Sequence, residues 1–175
     1  MSIDDALPTW HWRSAQATHV AAASERCAEA ARAVTSRDLP VTGALMRVRM
    51  LGRHRTDDRP LLQSLRGLGL VVLADDPAAV VVGGVLAPWR PRGGHVRVDT
   101  VEALRAFAAP GWVRVAMTFT VAPEGAGTRV ATETRIAATD GVAKRRFGRY
   151  WRLIAPFSAI TRREMLAAIK RRAEA

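Results

Sequence analysis

Cysteine is nearly absent. The 175-residue chain holds only Cys27, so no intramolecular disulfide is possible and no CxxC or Cys/His zinc spacing exists. A lone cysteine in a helical stretch reads as a small buried hydrophobe rather than a nucleophile. Long hydrophobic runs are missing too: residues 68–74 and 78–88 are too short or too broken by glycine to span a bilayer. The opening MSIDDALPTWHW carries two acids and a proline without an apolar run, unlike a signal peptide, so a cytoplasmic location is expected. His11, His19, His54 and His95 are scattered, with no HExxH and no acid at ligand spacing. No metal site is expected. RGLGL lacks the third glycine and following helix of a dinucleotide loop, and Ser158 in PFSAI lacks the GxSxG elbow. No cofactor is therefore expected.

Acids are scarce beside bases: 16 Asp/Glu face 27 Lys/Arg, for a net charge of +11. The excess is local. Residues 144–175 hold ten Lys/Arg against Glu164 and Glu174, a charge of +8. Such asymmetry fits either an anionic partner or a solvated helix face. The 49% apolar and 25% charged fractions are ordinary for a globular chain. The length suits one domain over residues 1–175, with residues 1–13 as an N-terminal extension.

Periodicity supplies the elements. Residues 14–22 read as a first strand, and Ser24 as the N-cap of a short helix over 25–34. Asp38 and Pro40 start a second short helix that Gly52 ends. Residues 53–60 form a polar loop. Residues 68–74 and 80–87 form a hairpin around Asp75–Asp76–Pro77. A wet loop follows at 89–97, and residues 98–108 fit either a helix or a broken strand. Residues 112–122 and 128–138 alternate as strands around the turn at 124–127. From Asp140 the period turns helical: Phe147, Tyr150, Trp151 and Ile154 recur at helical spacing, and Ile160, Met165, Leu166 and Ile169 do so after Pro156. Pro156 predicts a kink or break, and Thr161 with Glu164 a capping-box restart. An apolar sheet face needs a cover, and only the terminal helix is long enough to supply it.

Residues 18–34, 69–84, 128–140 and 147–174, with this element order, resemble the START-like helix-grip superfamily, also called SRPBCC or polyketide-cyclase-like, in an uncharacterised actinobacterial branch. The resemblance implies an α+β helix-grip fold: a curved antiparallel sheet wrapped around the terminal helix, with two short helices after the first strand. It also implies a cavity between sheet and helix, where superfamily members bind lipids, sterols or polyketides and a minority catalyse cyclisation, dehydration or hydrolysis. No motif matches a catalytic residue set of those enzymes.

The expectation is a non-enzymatic protein that binds an apolar small molecule. Its cavity would be lined by Trp89, Phe107, Met117, Phe119, Trp151 and Ile154, although such residues commonly just fill a core. Three polar anchors are candidates. His19 on the first strand could act as a general base. Glu133 and Arg135 share one strand face; inward they would anchor a ligand carboxylate or carbonyl, outward they are a surface pair worth about 0–1 kcal/mol. Alternation against Val130 and Ile136 favours outward. An enzyme using His19 or Glu133 is the alternative. A third class is a binding module that acts through the basic terminal helix at an anionic membrane or a nucleic acid. Nucleic acid is disfavoured there, because the interleaved aromatics would be buried and unable to stack.

Overall fold

The computed structural model describes residues 1–49, 58–90 and 94–175. A capping box opens the chain: Ser2 and Asp5 bond reciprocally and start α1 (Ile3–Ala6). The supposed extension is thus structured. After it come β1 (Trp12–Val20) and α2 (Ser24–Ala33). The N-cap of α2 is Ala23, and the Ser24 hydroxyl lies 3.2 Å from that of Thr128 instead of capping. Asp38 closes a 3-10 turn against Thr35 ahead of α3 (Pro40–Arg49). The expected stop at Gly52 and most of the polar loop lie outside the described residues.

The rest of the chain runs α4 (Leu61–Ser64), β2 (Val71–Asp76), β3 (Ala79–Leu86), β4 (His95–Val96), α5 (Val101–Ala106), β5 (Val113–Glu124), β6 (Gly127–Ala138) and α6 (Gly141–Glu174). The strands form one antiparallel sheet in the order β1-β6-β5-β3-β2, with β4 beside β3. Gly125 turns the β5–β6 hairpin at φ 60°, a left-handed conformation that costs glycine nothing. This is an α+β helix-grip fold.

One sheet face is covered by α2 and α6, and Val20, Phe119, Val130, Met165, Leu166 and Ile169 pack there. The other face is covered as well. Ile3, Ala6 and Leu7 join Val101 and Leu104 over Val81, Val85, Ala116 and Ala137. The middle strands are therefore apolar on both sides, which is why β3 reads AVVVGGVL without alternation.

Helix α6 runs unbroken through Pro156. The expected restart after it is not found. Thr161 lies inside the helix, and Glu164 caps α3 instead, accepting from the Val41 and Thr42 amides at 2.7 Å each and the Thr42 hydroxyl at 2.6 Å. The proline removes one hydrogen bond, but the stretches packed on either side, around Phe147 and around Met165, Leu166 and Ile169, keep the helix continuous.

Candidate functional site

Asp140 fixes the start of α6. Its carboxylate accepts the Val142 and Ala143 amides at 2.6 and 2.8 Å and also bonds the Gly111 amide. These donors hold its pKa below the usual carboxylate value. Two turns on, Phe147 is the centre of an aromatic cluster. Its ring lies 4.7 Å from Trp12, 5.7 Å from Tyr150, 5.8 Å from Trp151 in a stacked pair, and 6.2 Å from Trp89.

Beyond Phe147 the helix is loosely covered. The sheet-facing stripe continues through Trp151, Ile154, Ala155 and Ser158, all only half-buried, and no α6 residue between Phe147 and Arg162 is buried. Below it, Met117 stands mid-strand in β5, between β6 and β3, with its side chain in the inner apolar clusters, yet it too is half-buried. Leu62, Leu65, Leu86 and Trp89 complete a rim of partly covered apolar side chains. An open groove of about 610 Å³ lies alongside, lined by Trp89, Arg90, Arg146, Arg149 and Tyr150.

Past this stretch the stripe reaches Arg162, which is 5% exposed. Its Nη1 donates to the Thr134 hydroxyl at 3.3 Å, whereas its Nε and Nη2 are enclosed without an acceptor. The Thr132 hydroxyl and the Gln16 side-chain oxygen are likewise buried and unpartnered. Gln16 and Thr132 stand directly opposite each other across β1 and β6. The Gln16 amide nitrogen donates to the Ala159 carbonyl at 3.3 Å. Burial pushes the Arg162 guanidinium below its ordinary pKa.

The structure brings together five of the six expected lining residues on the inner side: Trp89, Met117, Phe119, Trp151 and Ile154. Phe119 is fully packed against the α6 core, and the other four are half-buried. Phe107 is set apart. It follows α5 on the opposite face and meets Trp112 edge-on at 6.4 Å. Residues 101–106 form a helix there, capped by Thr100, and carry Phe107 away from α6.

None of the expected polar anchors is on the inner face. His19 is exposed at the strand end, its Nε2 3.2 Å from the Glu124 carbonyl oxygen. Glu133 and Arg135 do point outward, but they are no bland surface pair. The Arg135 side chain is only 7% exposed. It donates to Glu133 at 2.7 Å, to Asp4 at 2.7 Å and to the Leu7 carbonyl at 3.2 Å, with Trp10 stacked 4.0 Å away. Arg13 grips the same Glu133 carboxylate through two bonds of 2.8 and 3.0 Å. The fold of α1 over the sheet is what buries the pair. Arg13, with Arg135 beside it, holds the Glu133 carboxyl below its usual range, so it stays ionised and makes a poor proton shuttle. A second concavity of about 450 Å³ lies on this side, between residues 1–3 and the strand faces around Arg13, Thr118 and Glu133.

Two other chemistries find no support. Burial raises the Cys27 thiol pKa, opposite to what a nucleophile needs. Among the described residues no three His, Cys, Asp or Glu side chains gather as a metal site.

No protein-family model matches the chain, and no curated protein matches it. Among solved structures, the Thermus thermophilus protein TTHA0849 is similar at 15% identity and a TM-score of 0.37, over 93% of this chain and 97% of that one. Ara h 8.0201 is similar at 7% identity and a TM-score of 0.32, over 90% of this chain and 97% of that one. Both scores are low, and the fold assignment rests on the element order and sheet topology above. Sequence reasoning missed Arg162, which it placed in the exposed basic run. The signal was its register: Arg162 shares the helical stripe of Trp151, Ile154 and Ser158, whereas Arg163 does not.

Proposed function

We propose that this chain binds an apolar small molecule between the inner sheet face and residues 151–158 of α6, without catalysing a reaction on it. The carrying observation is Met117. A side chain at the middle of a central strand, under a covering helix, is ordinarily among the most buried in a domain. This one is half-buried, and the helix residues above it are half-buried too. Apolar surface left uncovered inside a fold favours an apolar occupant.

Filling the space tests the reading. A neutral solvatochromic dye such as Nile red should bind the native protein at one saturable site. Met117→Trp, which adds bulk there, should weaken that binding at least tenfold while leaving the unfolding midpoint unchanged or raised. Equal dye binding by both proteins would remove the interior as the site.

A further inference from the structure

The interior carries one group that an apolar molecule alone does not explain. Arg162 is the one charged residue among the buried residues of α6, and an arginine is enclosed in a protein when an anion or several acceptors meet it. Here it has one long hydrogen bond, to a threonine hydroxyl. Among the described residues no carboxylate serves it. Glu164, two residues on, is engaged with the start of α3, and Glu133 lies on the opposite sheet face with Arg13 and Arg135.

The vacant donors have a definite shape. Nε and Nη2 lie on one edge of the guanidinium and form the fork that matches the two oxygens of a carboxylate. The unpartnered Thr132 hydroxyl is a further donor on the inner face of β6, two residues from Thr134. The Gln16 amide beside it keeps its nitrogen on the Ala159 carbonyl and leaves its oxygen as an unpartnered acceptor at the same place.

Resting on the function proposed above, we infer that the interior ligand is an amphipathic carboxylic acid, its carboxylate held by Arg162 and its apolar body lying under residues 151–158. From Trp151 to Arg162 the helix rises about 16 Å, a length that suits a medium or long acyl chain or a multi-ring acid. The loose part of the stripe holds the apolar portion, and the well-packed Met165, Leu166 and Ile169 close the far end.

Tetradecanoate and tetradecanol, which share a tail and differ in charge, separate the two ideas when titrated into the full chain. The acid should bind roughly ten- to a hundredfold tighter than the alcohol. Arg162→Met should erase that preference while keeping alcohol binding. With no ligand added, the same variant should unfold at a higher midpoint, because an unpaired buried charge has been replaced by an apolar side chain. Equal affinity for acid and alcohol in the wild type would overturn the anchor while leaving the interior site standing. So would an Arg162→Met variant that melts lower yet still prefers the acid. Failure of both ligands to bind would overturn the interior site and the anchor together. Should Arg162→Met not fold, the wild-type comparison of acid with alcohol still decides.

Discussion

Four aromatic rings converge on Phe147 at the start of α6, and the residue is 3% exposed. Phe147→Ala should therefore cost about 3–5 kcal/mol in denaturant unfolding, the usual loss for an enclosed aromatic. Trp151, stacked on it but half-buried, should lose only about 1–2 kcal/mol on the same substitution. A larger loss at Trp151 than at Phe147 would contradict this division. On the outer face, Glu133→Ala would leave Arg135 with the exposed Asp4 as its one carboxylate and should destabilise by about 2–3 kcal/mol. Asp4→Ala, at an exposed carboxylate, should stay within about 1 kcal/mol.

His11 offers a pH signature at the same scale. Its Nδ1 accepts the Ala138 amide at 3.1 Å, a bond only the neutral ring can make. Burial first, then the charges of Lys144 and Arg114, depress its pKa below the ordinary 6.5. A depressed pKa means the native state resists protonation. This contribution to stability is complete above pH 6.5 and is lost as pH falls through the lower native value. Asp140, also depressed, extends the loss to more acidic pH. Unfolding midpoints of wild type and His11→Gln should converge as pH drops from neutral toward the carboxylate range. Parallel curves would show that His11 takes no part.

Elements were legible where one period dominated. Strands β5 and β6 and the start of α6 follow from alternation and from the change to helical spacing after Asp140; the continuity of α6 through Pro156 does not. Three features were not. The outer layer escaped notice because α1 is a single turn, too short for a periodic signal, although Ser2 and Asp5 mark its cap. The interior charge escaped because Arg162 and Arg163 are adjacent in a basic run, and composition cannot say which of two neighbours turns inward. The pairing of Glu164 with α3 was equally hidden, since a helix side chain and the helix start it caps lie 123 residues apart. Glu164→Ala should release α3 first. We expect a loss of about 1–2 kcal/mol, with amide exchange accelerated over residues 41–45 before the sheet is affected.

For the molecule as a whole, charge and topology matter most. Lys144, Arg145, Arg146, Arg149 and Arg152 are all exposed and crowd the N-terminal half of α6, where the helix dipole disfavours cations. Binding to anionic vesicles should be measurable at low salt and vanish near physiological ionic strength, where screening acts within about 8 Å. Persistence in salt, abolished by replacing Arg145, Arg149 and Arg152 together, would make this face a working surface.

The sheet joins its first and last strands: β1 pairs with β6, and the Arg13–Glu133 contact spans 120 residues. A chain that must search so long a loop before its first strand is secured folds slowly, on the millisecond-to-second scale typical of non-local β topologies. The β5–β6 hairpin, closed by a two-residue turn, is by contrast available early. Until β1 arrives, one edge of β6 presents unpaired backbone groups, an invitation to pair with another chain. Refolding yield should therefore fall as protein concentration rises, and pulsed amide labelling should find β5 and β6 protected before β1.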